Sequence, residues 1–527
     1  TPLYSSAASD VYKRQVLTFT NNNLAGNHTV NFNGTGNQTI PSGNYQRLTI
    51  GGGARTVTLS PTGTVMITTA FTPSYDPALT YINTNSTVGY AFGLMVRNFE
   101  YFNLRIENSG AMTFDNTNAG PGAIKIAGTF QLPDNTPLVT TGSTVEYNGT
   151  GAQTILGGIT YHNLLVSGNR GSAAMNLGGG LPITVTGNFN VSAATSGIWT
   201  VQPVTLSGST AQTITGVPTF AFANLTVQGT GLKSLGSNVT ISALSTLSLN
   251  GNIECGNFDF ILGSTAGSVT LSNSPTGTIR TSGTGKLIRF FNNSTSIPVT
   301  TAPSNGNQHL NFPLATSAGT TRQVYFFSSA AQTPTTAGFI SVRYVDGTNK
   351  QNAPNTVVVN GQTVSAISKG YWEVNSTVTF PNSFGMGINS YGMFNATNPS
   401  FLRPVIGADG TPTSISVPAG TWTGSGNFPA YNVVSTVSLS NADKNNKIYF
   451  LGSAEENLGN SFLANAVSGN YSDPATWLPN GIPDASAGVV IPNGTSVTLN
   501  GNYSADFLDV QAGGTFVMGS NKLTLGN

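Results

Sequence analysis

The chain has 527 residues, of which only 20 are Lys or Arg and 19 Asp or Glu, so charge makes up 7% of the sequence and the formal net charge is +1. With no basic stripe to neutralise phosphates and no Lys/Arg-rich amphipathic helix, nucleic acid is excluded as a partner, and no membrane surface is indicated. The 28 Phe, 17 Tyr and 38% hydrophobic residues set the chain apart from disordered sequences of similar Gly content, while 63 Gly, 27 Pro and abundant Thr, Ser and Asn favour short strands and tight turns over helices.

The first 15 residues, TPLYSSAASDVYKRQ, lack an initiator Met and an apolar stretch, and their texture differs from that of the rest of the chain. Residues 1–15 are therefore set aside as a non-native, adapter-like leader. No run of 18 apolar residues marks a spanning helix.

From residue 16 a pattern repeats. VNFNGTGNQTIPSGNYQRLTI at 30 to 50 returns as VEYNGTGAQTILGGITYHNLLV at 145 to 166 and as VTLSGSTAQTITGVPTFAFANLTV at 204 to 227. The matched positions are Val30, Phe32, Ile40, Tyr45 and Leu48; Val145, Tyr147, Ile155, Tyr161 and Leu164; Val204, Leu206, Ile214, Phe222 and Leu225. A partial copy carries Phe102, Leu104 and Ile106. Apolar residues at every second position put one face of each strand inward, and such faces are buried by stacking coil on coil. Residues 16–291 are expected to form a right-handed parallel β-solenoid, the hand following from the bias of parallel β connections. Val30, Ile40, Leu48 and their counterparts should point inward.

From 296 to 455 the strands lengthen and gain aromatics, as in RQVYFFSS, GFISVRYVDG and KGYWEVNSTV. Residues 296–455 read as an antiparallel β-sandwich closing its own core, with Trp372 or its neighbour Tyr371 facing inward. Residues 464–527 return to short strands, VTLNG at 497 echoing LSLNG at 247, and read as the start of a second, truncated β-solenoid. Both ends lack a visible cap, so the chain is expected to be part of a longer one.

The coils NGTGNQTI and NLTVQG, the segments KGYWEV and GTWTGSG, and the run ATWLPNGIPDASAGVVIPNGTSVTL together resemble large secreted adhesin-like β-helical repeat proteins of gram-negative bacteria, of the kind exported by the type IX system. The last run resembles the opening of their G8-like modules. The resemblance spans nearly everything from residue 16 and implies an extracellular or cell-surface protein; the sorting domain usual in such proteins is absent from this sequence.

Chemistry is sparse. Polysaccharide-cleaving β-helices gather carboxylates, paired for acid/base work or collected on a cation, but here the acids are scattered. The adjacent pair Glu455 and Glu456 falls in a linker, and Glu254 and Asp259 lack metal-ligand spacing. His28, His162 and His309 are too dispersed for zinc, and Cys255, the single cysteine, reads as a buried apolar residue. No phosphate loop, nucleophile elbow or zinc-protease helix motif occurs. The expectation is a non-enzymatic surface rod or adhesin with no catalytic, metal or cofactor site, contacting glycans or other surfaces. The alternative is a polysaccharide-binding or polysaccharide-cleaving β-helix; ice binding through Thr pairs such as Thr56 and Thr58 is a third reading.

Overall fold

The computed structural model describes residues 28–527 except 92, 108–109, 134–135, 172, 193–198, 272–275, 294–309, 348–349, 360, 392, 394–398, 428–429, 454–459, 466, 479–480, 486, 506 and 527. The leader 1–15, His309, Glu455 and Glu456 lie outside the described residues. Regular structure among the described residues is β, apart from three short 3-10 turns, and no helix is long and apolar enough to cross a membrane. The chain divides into two compact units, residues 1–240 and 241–527.

The first unit is a β-solenoid of parallel strands, three residues long in many places. Ile183–Val185, Val204–Leu206 and Leu225–Val227 each bury their two outer residues and leave the central Thr half-exposed. They stack in register, so Ile183, Val204 and Leu225 form one inward column and Val185, Leu206 and Val227 another, with Thr184, Thr205 and Thr226 outside. Period-2 alternation decides which residues enter the core, and each buried aliphatic contributes about 1.5–3 kcal/mol of transfer free energy. The matched apolar positions are buried as expected, except Val30, half-buried on the first described strand. Thr58 stands between Thr39 and Ile82 in neighbouring coils, so the Thr pair at 56 and 58 does not continue as a ladder.

The register also explains what the repeat encodes. Val30 lies over Leu48, Val145 over Leu164 and Val204 over Leu225. One copy is one coil closing on itself, its first strand paired beside its last. The three copies begin in three different sheets, so the near-regular spacing of their leucines does not place them in one column. The same coil has been written starting from different faces.

The aromatic of the partial copy is Tyr101, not Phe102: Tyr101 is fully buried and Phe102 only half-buried. Tyr101 stands three residues before Leu104, as Tyr161 does before Leu164. Its hydroxyl donates to the Arg97 carbonyl at 2.9 Å, as Tyr161 donates to Leu156 at 2.7 Å and Tyr45 to Pro41 at 2.8 Å. A buried phenol needs such a partner, which fixes the corner where the aromatic sits. Each of Tyr101 and Tyr161 also meets a second tyrosine hydroxyl, Tyr90 at 2.7 Å and Tyr147 at 2.9 Å.

In the second unit, Ile253–Glu254, Ile279–Arg280 and Leu314–Ala315 stack in parallel, as do Phe260–Leu262 and Leu287–Phe291. The pairing then changes sense. Leu287–Phe291 runs parallel to Phe260–Leu262 on one side and antiparallel to Gly338–Val345 on the other. From there an antiparallel sheet continues through Gln362–Ser376, Lys447–Ser453 and Leu402–Gly407. A second antiparallel sheet joins Leu310–Phe312, Val324–Phe327, Gly385–Tyr391, Ala430–Ser435 and Trp422–Asn427.

The antiparallel region therefore does not stand apart from the coils before it. Arg289, buried in the shared strand, donates to the carbonyls of Val269 at 3.3 Å and Asn311 at 2.6 Å and lies over the Phe312 ring. Thr281 Oγ1 donates to the Tyr344 carbonyl at 2.9 Å and accepts from the Tyr344 amide at 3.0 Å. Trp372 is the inward member of its pair, fully buried with Nε1 donating to the Arg322 carbonyl at 2.9 Å; Tyr371 faces the other way and is half-buried.

Beyond residue 460, Asn460–Ala464, Ala487–Ile491 and Phe507–Val510 pair in parallel, as do Ser468–Asn470, Ser496–Thr498 and Thr515–Val517. Trp477, Tyr471, Val489, Ile491 and Val497 form their core, and Trp477 Nε1 donates to the Tyr471 carbonyl at 2.8 Å.

Two outcomes are expected. Leu164→Asp should unfold the first unit, because a lone charge in the stack has no partner, whereas Thr226→Asp, outward between buried Leu225 and Val227, should change the melting midpoint little; comparable losses would contradict the register. A fragment of residues 296–455, whose Gly338–Val345 edge has lost Leu287–Phe291, should aggregate more by light scattering than the whole chain does; equal behaviour would contradict the seam.

Candidate functional site

The polar residues singled out in the sequence turn out to brace corners. Glu254 Oε1 accepts from the Gly256 amide and from Ser282 Oγ, both at 2.9 Å, and Asp259 accepts from the Lys286 amide at 3.0 Å in the following coil. Between them Cys255 is fully buried, and burial, reinforced by these two carboxylates, pushes its thiol well above the usual range. His162 Nδ1 lies 3.3 Å from Thr186 Oγ1, and the His28 amide donates to Gln46 at 2.9 Å. No group of three or more His, Cys, Asp or Glu side chains forms a metal-binding cluster among the described residues.

The same bracing recurs along the first unit. Asn37, Asn103, Asn163 and Asn188 each accept, through Oδ1, an amide of the next coil at 2.7–2.9 Å. In two of the three copies the Gln of Gln-Thr-Ile is more deeply placed, whereas Gln38 of the first is half-buried. Gln212 is buried; its Nε2 donates to the carbonyls of Val185 at 3.2 Å and Gly187 at 2.5 Å, and its Oε1 accepts from Gly208 at 2.8 Å. Gln153 repeats the arrangement with Ile126, Gly128 and Gly149. Gly149 and Gly208 are glycine because a Cβ there would stand 2.1 and 2.2 Å from the carbonyls of Ala127 and Thr186. After each copy comes a cation inside the turn: Arg55, Arg170 and Lys233, all buried. Lys233 Nζ donates to the carbonyls of Gly208 and Gly231 at 3.0 and 2.7 Å, and Arg170 to Tyr147 and to Gln153 Oε1. Burial lowers the pKa of Lys233, and that of Arg170 to about 10.

Among the described residues, two of the larger surface clefts bring polar side chains together. In the second unit Asp346, Gln351, Lys369, Tyr371 and Thr411 line an open cleft of about 820 Å³, with the Tyr371 ring against Phe450. In the first unit a cleft of about 720 Å³ runs over the corners of successive coils, lined by Glu100, Phe102, Asn103, Thr129, Asn148, Thr154 and Asn176. Asn148 Nδ2 donates to Glu100 Oε1 at 3.2 Å. Beside the cleft, register places Lys125 between Glu100 and Glu146, with Lys125 Nζ 3.4 Å from Glu146 and Ser167 Oγ donating to Glu146 at 2.5 Å. Glu100 and Glu146 are far apart in sequence, and coil length makes them near neighbours. The one trace of this in the sequence is the Glu-Tyr dipeptide at 100–101 and again at 146–147.

The chain matches no family model, no curated protein and no solved structure.

Lys444 sets a pH dependence. It is buried against the rings of Phe380 and Phe384, with Nζ 5.2 and 5.8 Å from their centroids, and donates to the Val378 carbonyl; burial lowers its pKa to about 8. The unfolded chain holds this proton up to about pH 10.4, so between pH 8 and 10 unfolding takes up a proton and stability should rise with pH. Buried Tyr325 in the same unit, raised to about 12 by burial, acts oppositely only above about pH 10. Urea midpoints for the second unit should climb from pH 7.5 to 9.5 and lose most of that slope in Lys444→Met; an unchanged slope would show that Lys444 is not the group responsible.

Proposed function

We propose that the chain is a non-enzymatic protein of the bacterial cell surface or extracellular medium, a stiff spacer or adhesin that contacts glycans through its outward residues. In this reading the solenoid is right-handed, residues 296–455 are a sandwich, residues 464–527 form a second, G8-like solenoid, and export follows the type IX route. The observation that carries it is the division of labour within each strand. Buried columns such as Val185, Leu206 and Val227 hold the stack, while Thr184, Thr205 and Thr226 give an uncharged hydroxyl face in register with it. A surface so poor in charge interacts with other polar, uncharged surfaces more readily than with ions.

The alternative, a polysaccharide-binding or polysaccharide-cleaving β-helix, is favoured by the cleft at Glu100. Binding fits that cleft better than cleavage. Glycoside hydrolysis by the usual route takes two carboxyl groups flanking the bond, and of the acids near the cleft Glu146 is engaged by Lys125 and Ser167 while Glu100 alone lines it.

A glycan array paired with a reducing-sugar assay on the purified chain tests the reading. Binding without sugar release is expected. Release that is lost in Glu100→Gln, or on neutralising Glu254 or Asp259, would place the protein among the enzymes.

A further inference from the structure

From the polarity of the first unit's cleft we infer that it is a binding site for a neutral, hydroxyl-rich oligosaccharide, which deepens the glycan-contact reading above and rests on it. The lining is rich in acceptors. Glu100 brings a carboxylate, and Asn148 and Asn176 each bring an amide oxygen that is shielded from water and has no hydrogen-bond partner in the protein. The Asn148 amide is oriented by its donation to Glu100, which leaves its oxygen as the group to be satisfied. The terminal side-chain torsion of asparagine is soft, so the Asn176 amide can turn its oxygen to a ligand, while the Asn148 amide keeps its donation to Glu100. Acceptors of this kind call for a ligand that donates, and each sugar hydroxyl supplies one O–H.

Three further features fit the same ligand. Phe102 lines the cleft half-buried, presenting apolar ring surface of the kind that packs on a sugar's C–H face. Exposed Thr150 and Thr154 add hydroxyls that both donate and accept, and Thr129 Oγ1, which donates to Asn103 Oδ1 at 2.9 Å, adds an acceptor. The lining comes from four successive coils, about 14 Å along the stack at about 4.8 Å per coil, which gives a short chain of sugars a track along the axis. Charge selects within the class. Glu100 and Glu146 outnumber Lys125 at this corner, so a uronic-acid polymer is repelled.

The test is calorimetric titration of the whole chain with three probes: neutral β-glucan and mannan oligosaccharides, oligogalacturonate, and chitosan oligomers. Binding of a neutral probe is expected, weakened at least tenfold by Phe102→Ala and by Asn176→Leu and left within twofold by Tyr371→Ala in the other cleft. Ala152→Arg, at an exposed lining position away from the core, should block binding while circular dichroism and the melting midpoint stay as in the parent chain, so a loss cannot be laid to misfolding. Neutral-glycan binding that survives Phe102→Ala and Ala152→Arg would overturn this site and leave the glycan reading standing. Preference for oligogalacturonate or for chitosan would overturn the assigned ligand class. Binding of no probe, on titration and on the array alike, would overturn both.

Discussion

A coil stacked on a coil turns its corner carbonyls and amides towards another backbone instead of towards water, and each must find a partner or cost about 1–3 kcal/mol as an unsatisfied buried group. Strands solve this along their length by pairing in parallel. Corners cannot, because the chain changes direction there. In this protein side chains take over the ladder at the corners: Asn accepts an amide from the next coil, Gln153 and Gln212 bridge two coils, and buried Arg55, Arg170 and Lys233 donate into rings of turn carbonyls. The low charge and the wealth of amide residues follow from that requirement. At Arg170 and Lys233 the dipoles of these oxygens replace hydration, and the depressed pKa values of the two cations record what that desolvation costs.

The same constraint explains why the motif recurs on three sheets. A sequence that closes one coil, with a Gly pressed against the coil below, a bridging Gln and an aromatic at the corner, works from any face whose neighbours run parallel at the same spacing. Where the stacking ends in the second unit, Leu287–Phe291 gives its open side to an antiparallel strand, and Arg289 and Thr281 tie the two regions together. Edge strands invite unwanted pairing, and this one is covered by the chain itself.

Much of this was legible in the sequence because it rests on period-2 alternation. The inward set, from Ile40 to Leu225, needs only the rule that successive side chains alternate faces, and the all-β class follows from Gly, Thr and Asn. Three things were not legible. Coil length varies along the chain, from Thr87 over Asn103 to Leu104 over Phe130, so no fixed period could reveal that Glu100, Lys125 and Glu146 share one corner. The choice between Tyr101 and Phe102 turned on a hydroxyl partner in the turn before it. The seam at Leu287–Phe291 depends on a partner strand some 50 residues on, beyond the reach of local pattern.

One copy of the repeat is one closed coil, and this puts Thr205 directly beside Thr226. Register partners in adjacent strands lie about 4.8 Å apart, within the Cα range of a disulfide, and the only native cysteine, Cys255, is buried. Oxidising Thr205→Cys/Thr226→Cys and mapping the product by mass spectrometry should give an intramolecular disulfide in high yield, while Thr205→Cys/Gln228→Cys, displaced by two residues, should give little. A stronger cross-link from the displaced pair, or none from the matched one, would contradict the account.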